Sequence, residues 1–271
     1  MRTQPVRKSM TWRWAWVLVL VVGLGLFELV RRVLVTTENP NLVPSLILLG
    51  AAVGPATFVA FVWGRRLSFG VDPVLVGLVA VVGGVIGVVT AGALEYDVLK
   101  ALGPLQMAGV GVIEETAKLI APAVVLVAVR DRRAATGLLL GVASGAGFAA
   151  LETMGYALVA FVKTQGDVSA VDQTLLLRGV LSPATHMAWT GLTAAALWAA
   201  ARQRGRSRSI ARFAAMFVVA VALHAAWDGI GTTVSYLVLA AISLGLLTVA
   251  VHRIGHSRAP RRRPVPARAA R

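Results

Sequence analysis

The sequence predicts an all-α, polytopic membrane protein, a bundle of about eight transmembrane helices with both termini in the cytoplasm. Of its 271 residues, 57% are apolar and only 14% are charged. Ordinary soluble domains carry about 25% charged residues. A soluble protein of this size could not bury so much apolar surface, whereas lipid tails accept it. The apolar residues also occur in runs of about 20, the length of a helix that crosses a bilayer.

Eight apolar runs are long enough to be membrane spans. In chain order they are Trp14–Val30, Leu42–Val62, Val74–Leu94, Leu105–Val129, Ala134–Val162, Val180–Ala201, Arg212–Gly229 and Thr232–Val251. The first resembles a signal peptide, but Arg31 and Arg32 follow it instead of a small-residue cleavage site, which favours an uncleaved anchor. Small residues at Gly141, Gly145 and Gly83–Gly87 would let the helices pack closely.

The distribution of basic residues predicts the orientation of the spans, because loops rich in Lys and Arg stay in the cytoplasm. The net charge is +15, and the predicted inside segments hold most of the arginines. The predicted outside loops carry Glu95 and few basic residues, chiefly Arg31, Arg32, Lys100, Lys163 and Arg178, and Arg31–Arg32 is the weakest point of the alternation. The predicted organisation is a basic cytoplasmic N-terminus (1–13), three helices (14–104), a five-helix portion with the polar motifs (105–251) and a basic tail (252–271) expected to be disordered.

Two basic segments, Arg202–Arg212 and Arg258–Arg271, predict contact with anionic lipid headgroups. Neither carries interleaved aromatic residues or a recognisable nucleic-acid module, so nucleic acid is not an expected partner. The chain has no cysteine, which excludes disulfides and thiol catalysis. The abundance of Arg, Ala, Val and Gly is typical of a GC-rich bacterium, so we expect a multi-pass protein of a bacterial cytoplasmic membrane.

Ionisable residues interrupt the apolar runs of the second half of the chain. A charge near the centre of a membrane helix costs at least about 2.5–3.5 kcal/mol, so such groups need partners or a purpose. They are Glu114, Glu115, Lys118, Glu152, His186, His224 and Asp228. Counted from the outer ends of their spans, Glu114 and Glu152 lie roughly 14 Å deep and the two histidines roughly 8–10 Å. The sequence therefore predicts one polar cluster in the outer half of the membrane.

Helical spacing refines this prediction. Glu114 and Lys118 are four residues apart, as are His224 and Asp228, so each pair shares a helix face. Glu115 points about 100° away from Glu114, which predicts that only one of the two aims directly at a common point.

The side-chain types in the cluster predict a metal site. Glutamate, histidine and aspartate are zinc ligands, and a further carboxylate would be free to act as a base. Such a divalent metal would polarise a carbonyl and activate water near neutral pH. Pro122 cannot donate to the Lys118 carbonyl, which predicts a kink, and Pro183 lies one turn before His186. Both favour a water-filled cavity, where polar groups are tolerated.

Each polar residue also has a purely structural interpretation. Glu114 and Lys118 can form an intrahelical ion pair, and Glu152 can be a protonated carboxyl bonded to a neighbouring helix. The histidines can serve packing or brace a helix end. Separate structural roles would not explain why these groups lie at similar depths in the membrane. A common site is therefore favoured.

Four segments resemble the motifs of the PrsW family of intramembrane metalloproteases, a family related to the CAAX prenyl endopeptidases. They are Glu114-Glu115-Thr116-Ala117-Lys118, Phe148-Ala149-Ala150-Leu151-Glu152, the His186 segment Ser182–Thr190, and His224-Ala225-Ala226-Trp227-Asp228. They follow one another on successive predicted helices, and the resemblance covers about Leu105–Gly231.

The resemblance implies hydrolysis of peptide bonds within or beside the membrane. It implies that Glu114 is the general base and that Glu115 supports it. Lys118 would pair with Glu114 or stabilise developing negative charge. The implied substrate is a membrane protein cut near its extracytoplasmic side, and an anti-sigma factor, the substrate of PrsW itself, is one expectation.

The resemblance also implies a ligand set for a divalent metal, with zinc as the expected ion. Glu152, His186 and His224 are the implied ligands, and Asp228 is a fourth ligand or a partner that orients His224. Glu152 stands where the prenyl endopeptidases have histidine, so the choice of metal stays open.

Two other functions remain as alternatives. A proton- or ion-coupled transporter would also use intramembrane Glu, His and Lys. However, the polar groups crowd into one half of the membrane, and no interrupted helices occur at matching places in two repeats. A non-catalytic membrane adaptor with a degenerate fold is less consistent with motifs whose positions are all filled.

Overall fold

The computed structural model describes residues 10–65, 67–101, 105–203 and 206–256, and every regular element in these ranges is helical. The nine α-helices there are α1 Ala15–Thr37, α2 Val43–Trp63, α3 Pro73–Ala101, α4 Gln106–Ala128, α5 Ala134–Lys163, α6 Val168–Leu181, α7 His186–Arg202, α8 Ser207–Ile230 and α9 Thr233–His256. Most of the predicted basic N-terminus and of the predicted basic tail, including 258–271, lies outside the described residues.

Among the described helices, five are long and apolar enough to cross a membrane, namely α2, α3, α5, α8 and α9. Helices α1 and α4 each carry three charged residues, and α7 has only 17 residues. The structure thus confirms an all-helical protein with several apolar helices of membrane-spanning length. The number of eight spans and the cytoplasmic location of both termini stay predictions.

The prediction of one continuous sixth span over Val180–Ala201 is wrong. Residues Val168–Leu181 form a separate helix, α6, whose first turn is capped by Asp167 accepting from the Ser169 N–H at 2.8 Å. A 3-10 turn at Ser182–Ala184 then breaks the chain around Pro183, and α7 begins at His186. With 14 residues, α6 is too short to be recognised as a span from hydropathy.

Helix α5 lies at the centre of the bundle and packs against α3 on one side and α7 on the other. A Cβ added at Gly145 would lie 2.5 Å from the His186 carbonyl oxygen, and one at Gly84 would lie 2.5 Å from the Gly147 carbonyl carbon. The close helix packing predicted from the small residues is therefore confirmed. The contact at Gly145 sets the position of the first residue of α7.

Helix α4 runs without interruption through Pro122. Proline cannot donate to the Lys118 carbonyl, but the Ser144 hydroxyl of α5 donates to that oxygen at 2.7 Å. A side chain from the central helix thus replaces the lost backbone hydrogen bond, as is common for proline in membrane helices.

Candidate active site

The seven polar residues singled out from the sequence lie together in one cluster, contributed by α4, α5, α7 and α8. Glu115 and Lys118 are fully buried, and Glu114 is only 6% exposed. His186 is buried at the N-terminus of α7, and His224 is buried in α8. Glu152 of α5 and Asp228 near the end of α8 complete the set.

Lys118 lies between the two glutamates of its own helix and one histidine. Its Nζ is 2.6 Å from Glu115 Oε1, 3.2 Å from Glu114 Oε2 and 2.8 Å from His186 Nδ1. The Phe148 ring closes another side, with its centroid 4.4 Å from Nζ. A buried ammonium needs such partners, and here the carboxylates supply the opposite charge.

His224 brings both glutamates of α4 into the cluster. Its Nδ1 is 2.9 Å from Glu115 Oε1, and its Nε2 is 3.4 Å from Glu114 Oε2 and 3.1 Å from Asp228 Oδ2. Both glutamates thus contact this ring, but only Glu114 is grouped with His186 and His224 as a donor set, as expected if one of the two points at a common centre. The two nitrogens lie on different edges of the imidazole, so two carboxylates about 100° apart can both reach one ring.

His186 has a similar arrangement. Its Nε2 is 3.0 Å from Glu152 Oε2, and its Nδ1 is 3.9 Å from Glu114 Oε2. The His186 and His224 rings are 5.3 Å apart, and Trp189 packs against both. Trp189 is held in turn by donating to Ser243 Oγ at 2.9 Å. Each histidine thus has one nitrogen near Glu114 and the other on a carboxylate of its own.

The site contains two further residues, although the sequence analysis places both of them outside it. Arg178 of α6 lies 2.6 Å from Glu152 Oε2. Glu95 of α3 has its carboxyl within hydrogen-bonding range of Glu114, and its Oε1 is buried without a partner. Both were assigned to outer loops because they lie at or beyond the ends of apolar runs. Their only signal in the sequence is a charged side chain close to the end of a predicted span.

A cavity of about 80 Å³ reaches the cluster from the side of α6. Its lining includes Thr153, Arg178, Ser182, Thr185, His186 and Trp227. Polar and apolar side chains both line it, and it is large enough to hold water. Water therefore has a place beside His186 within the bundle.

A comparison of the sequence with protein families finds a match that includes the residues of this cluster. The profile described as PrsW family intramembrane metalloprotease matches residues 55–252, well over half of the chain. The chain belongs to the PrsW family. Membership of this family makes it a membrane-embedded peptidase. The matched residues include every polar residue of the cluster. No curated protein and no solved structure matches it.

The PrsW family is a metalloprotease family, and the cluster has donors suited to a divalent cation. One donor atom each from Glu114, His186 and His224 lies within 4.8 Å of the others. With Glu95 included, the described cluster has five carboxyl groups and two basic side chains, Lys118 and Arg178. With neutral histidines, ionised carboxylates leave a net negative charge that a divalent cation would balance. The residues therefore fit a divalent metal.

Proposed function

We propose that this protein is a zinc-dependent intramembrane protease of a bacterial cytoplasmic membrane, cutting single-span membrane proteins near their extracytoplasmic side. An anti-sigma factor is the first substrate class to test. The observation that carries the proposal is the convergence of Glu114, His186 and His224 from three helices in a buried site beside a cavity large enough for water. Such donors are costly inside a membrane, so a chemical purpose is favoured.

Glu114, His186 and His224 are the residues that would hold the metal. Two histidines and one glutamate form a known ligand set of catalytic zinc sites. When bound, zinc supplies Lewis-acid polarisation of the scissile carbonyl.

Glu115 and Glu152 orient the two histidines. Glu115 lies on His224 Nδ1 at 2.9 Å and Glu152 on His186 Nε2 at 3.0 Å. A carboxylate on the second ring nitrogen fixes the orientation of a ligating histidine and makes the first nitrogen a better donor. The site has this pattern twice, once for each histidine.

We assign the general base to Asp228 rather than to Glu114. The Asp228 side chain is 33% exposed and lies 3.1 Å from His224 Nε2, whereas that of Glu114 is only 8% exposed. Asp228 can therefore meet water and accept its proton, a role that requires contact with the attacking molecule. Lys118 pairs most closely with Glu115, at 2.6 Å, and stabilises negative charge in the cluster. This division differs from the resemblance, which implies Glu114 as base and Glu152 as ligand.

Two isosteric variants separate these roles. Membrane proteomes of cells that make wild type, Glu114→Gln or Asp228→Asn are compared to find cleavage products, and each purified protein is assayed for zinc. We expect both variants to lose the products. Glu114→Gln should also lose zinc, whereas Asp228→Asn should keep about one zinc per chain.

Other outcomes would change the proposal in defined ways. A Glu114→Gln protein that is inactive but keeps its zinc would restore Glu114 as the base. Cleavage products that persist in both variants would exclude the protease function at this site.

A further inference from the structure

We propose that Arg178 is a positioning residue of the active site, holding Glu152 against His186 and joining α6 to the catalytic cluster. The inference deepens the proposed protease function and rests on it. Arg178 stands outside the four motifs and on α6, most of which lies outside the eight predicted spans.

Three contacts fix the guanidinium against one face of α5. A terminal nitrogen lies 2.6 Å from Glu152 Oε2, and Nε donates to Thr153 Oγ1 at 3.2 Å. The guanidinium carbon lies 4.0 Å above the centre of the Tyr156 ring. A planar group with donors along its edge and a stacking face can make all three contacts at once, which an ammonium cannot do.

The contact with Glu152 continues into the site. The same oxygen, Glu152 Oε2, that meets Arg178 also lies 3.0 Å from His186 Nε2. Without Arg178, Glu152 would be left with His186 as its one polar neighbour among these contacts. The hydrogen-bonded guanidinium limits the positions that the Glu152 carboxylate can take beside His186. Arg178 therefore keeps Glu152 available to orient His186.

Arg178 also lines the cavity that reaches His186. The cavity wall on this side is formed by the end of α6 and the following turn, including Leu181 and Ser182. The Arg178–Glu152 ion pair thus fixes the position of this cavity wall relative to His186.

The test is a double-mutant cycle with Arg178→Met, Glu152→Gln and the double variant, in the full-length protein reconstituted in nanodiscs. Two readouts are taken, the affinity for Zn²⁺ and kcat/KM on a cleavage substrate identified in membranes. We expect Arg178→Met to lower both by about 10-fold to 100-fold, with the fall in rate mainly in kcat. The double variant should be no worse than Glu152→Gln, because both changes break one connection.

Arg178→Lys should lower zinc affinity and kcat/KM less than Arg178→Met does, because lysine keeps the positive charge but lacks the planar guanidinium with its several N–H donors. The matched control is Arg32→Met on α1, an exposed arginine that lies 2.7 Å from Glu28. It should change neither readout by more than about twofold. Thermal unfolding of each variant identifies those that fail to fold.

Arg178→Met values within twofold of wild type, or fully additive effects of Arg178→Met and Glu152→Gln, would overturn the inference. A wild-type protein that cleaves substrate without binding zinc would overturn the proposed metal chemistry instead. The cycle on kcat/KM would still decide the role of Arg178.

Discussion

The polar cluster and the apolar region formed by α1, α2 and α6 are packed in different ways. In the cluster, charged side chains from four helices have partners at 2.6–3.4 Å, and backbone contacts at glycine hold α5 against α7. The apolar region contains a buried group that includes Leu34, Leu46 and Leu175, yet it borders a cavity of about 590 Å³. Helix association in lipid gains little from the hydrophobic effect, so an apolar gap need not close.

Glycine brings helices close in both regions, at Gly145 in the cluster and at Gly54 against α6, so what sets the cluster apart is its buried charged side chains. An unpaired charge in a membrane is expensive, so the cluster requires each helix to be held at a fixed distance. A catalytic site needs its groups held within about 0.5 Å, which close helix contacts can provide. Substitutions in the two regions should therefore affect different properties of the protein.

The largest contrast is expected between Glu114→Gln and Leu46→Ala. Glu114→Gln should reduce proteolysis by at least about 100-fold, because a proposed ligand is lost, while Lys118 keeps Glu115 at 2.6 Å and the fold persists. Leu46→Ala should instead lower the free energy of unfolding by on the order of 2 kcal/mol and leave zinc content unchanged. Activity per folded molecule, zinc content and denaturant unfolding check both. Equal loss of activity would remove the distinction between the regions.

The second contrast lies within α5, between Gly145→Val and Gly155→Val. The Gly145 position faces the His186 carbonyl oxygen, whereas a Cβ at Gly155 meets nothing within 4 Å. Gly145→Val should push His186 out of place and weaken zinc affinity by about 10-fold to 100-fold. Gly155→Val makes the same change in open space and should leave the affinity near wild type. Similar zinc affinities in both variants would show that this helix contact does not position the site.

The third prediction concerns charge within the cluster. Lys118 Nζ lies 3.2 Å from Glu114 and 2.8 Å from His186 Nδ1, two groups that we assign to the metal. Lys118→Met removes a competing cation, so zinc affinity should rise by on the order of tenfold. Competition with a fluorescent zinc chelator measures the change. A weaker affinity would show that Lys118 supports metal binding instead of opposing it.

The smallest effect is expected from loss of the Ser144 hydrogen bond that replaces the backbone donor missing at Pro122. Ser144→Ala leaves the Lys118 carbonyl without its 2.7 Å hydrogen bond and should cost about 1 kcal/mol of unfolding free energy. Thr174→Ala is the matched control, because Thr174 donates to the Ala170 carbonyl of its own helix. That change should stay within about 0.5 kcal/mol of wild type. Equal losses from both variants in denaturant unfolding would show that Pro122 leaves no special need for Ser144.

Much of the site could be predicted from the sequence because its residues are unusual in membrane helices. Glu114, Lys118, Glu152 and the two histidines interrupt apolar runs, and depth counting places them in one layer. Family resemblance then assigned the chemistry.

The remaining features depend on tertiary structure. Arg178 lies in α6, which is too short to produce a hydropathy signal, and Glu95 follows an apolar run as a loop residue would. Which carboxylate meets which ring nitrogen depends on helix rotation and on the rotamers of His186 and His224, which no spacing rule determines. The break before His186 falls in the 3-10 turn that contains Pro183, between α6 and α7.

Zinc titration of the metal-free wild-type protein, followed by proteolysis in membranes, tests the central claim most directly. If Glu114, His186 and His224 hold a catalytic metal, activity is absent after stringent chelation and returns in full at about one zinc per chain. Undiminished proteolysis by protein with no detectable metal would contradict it.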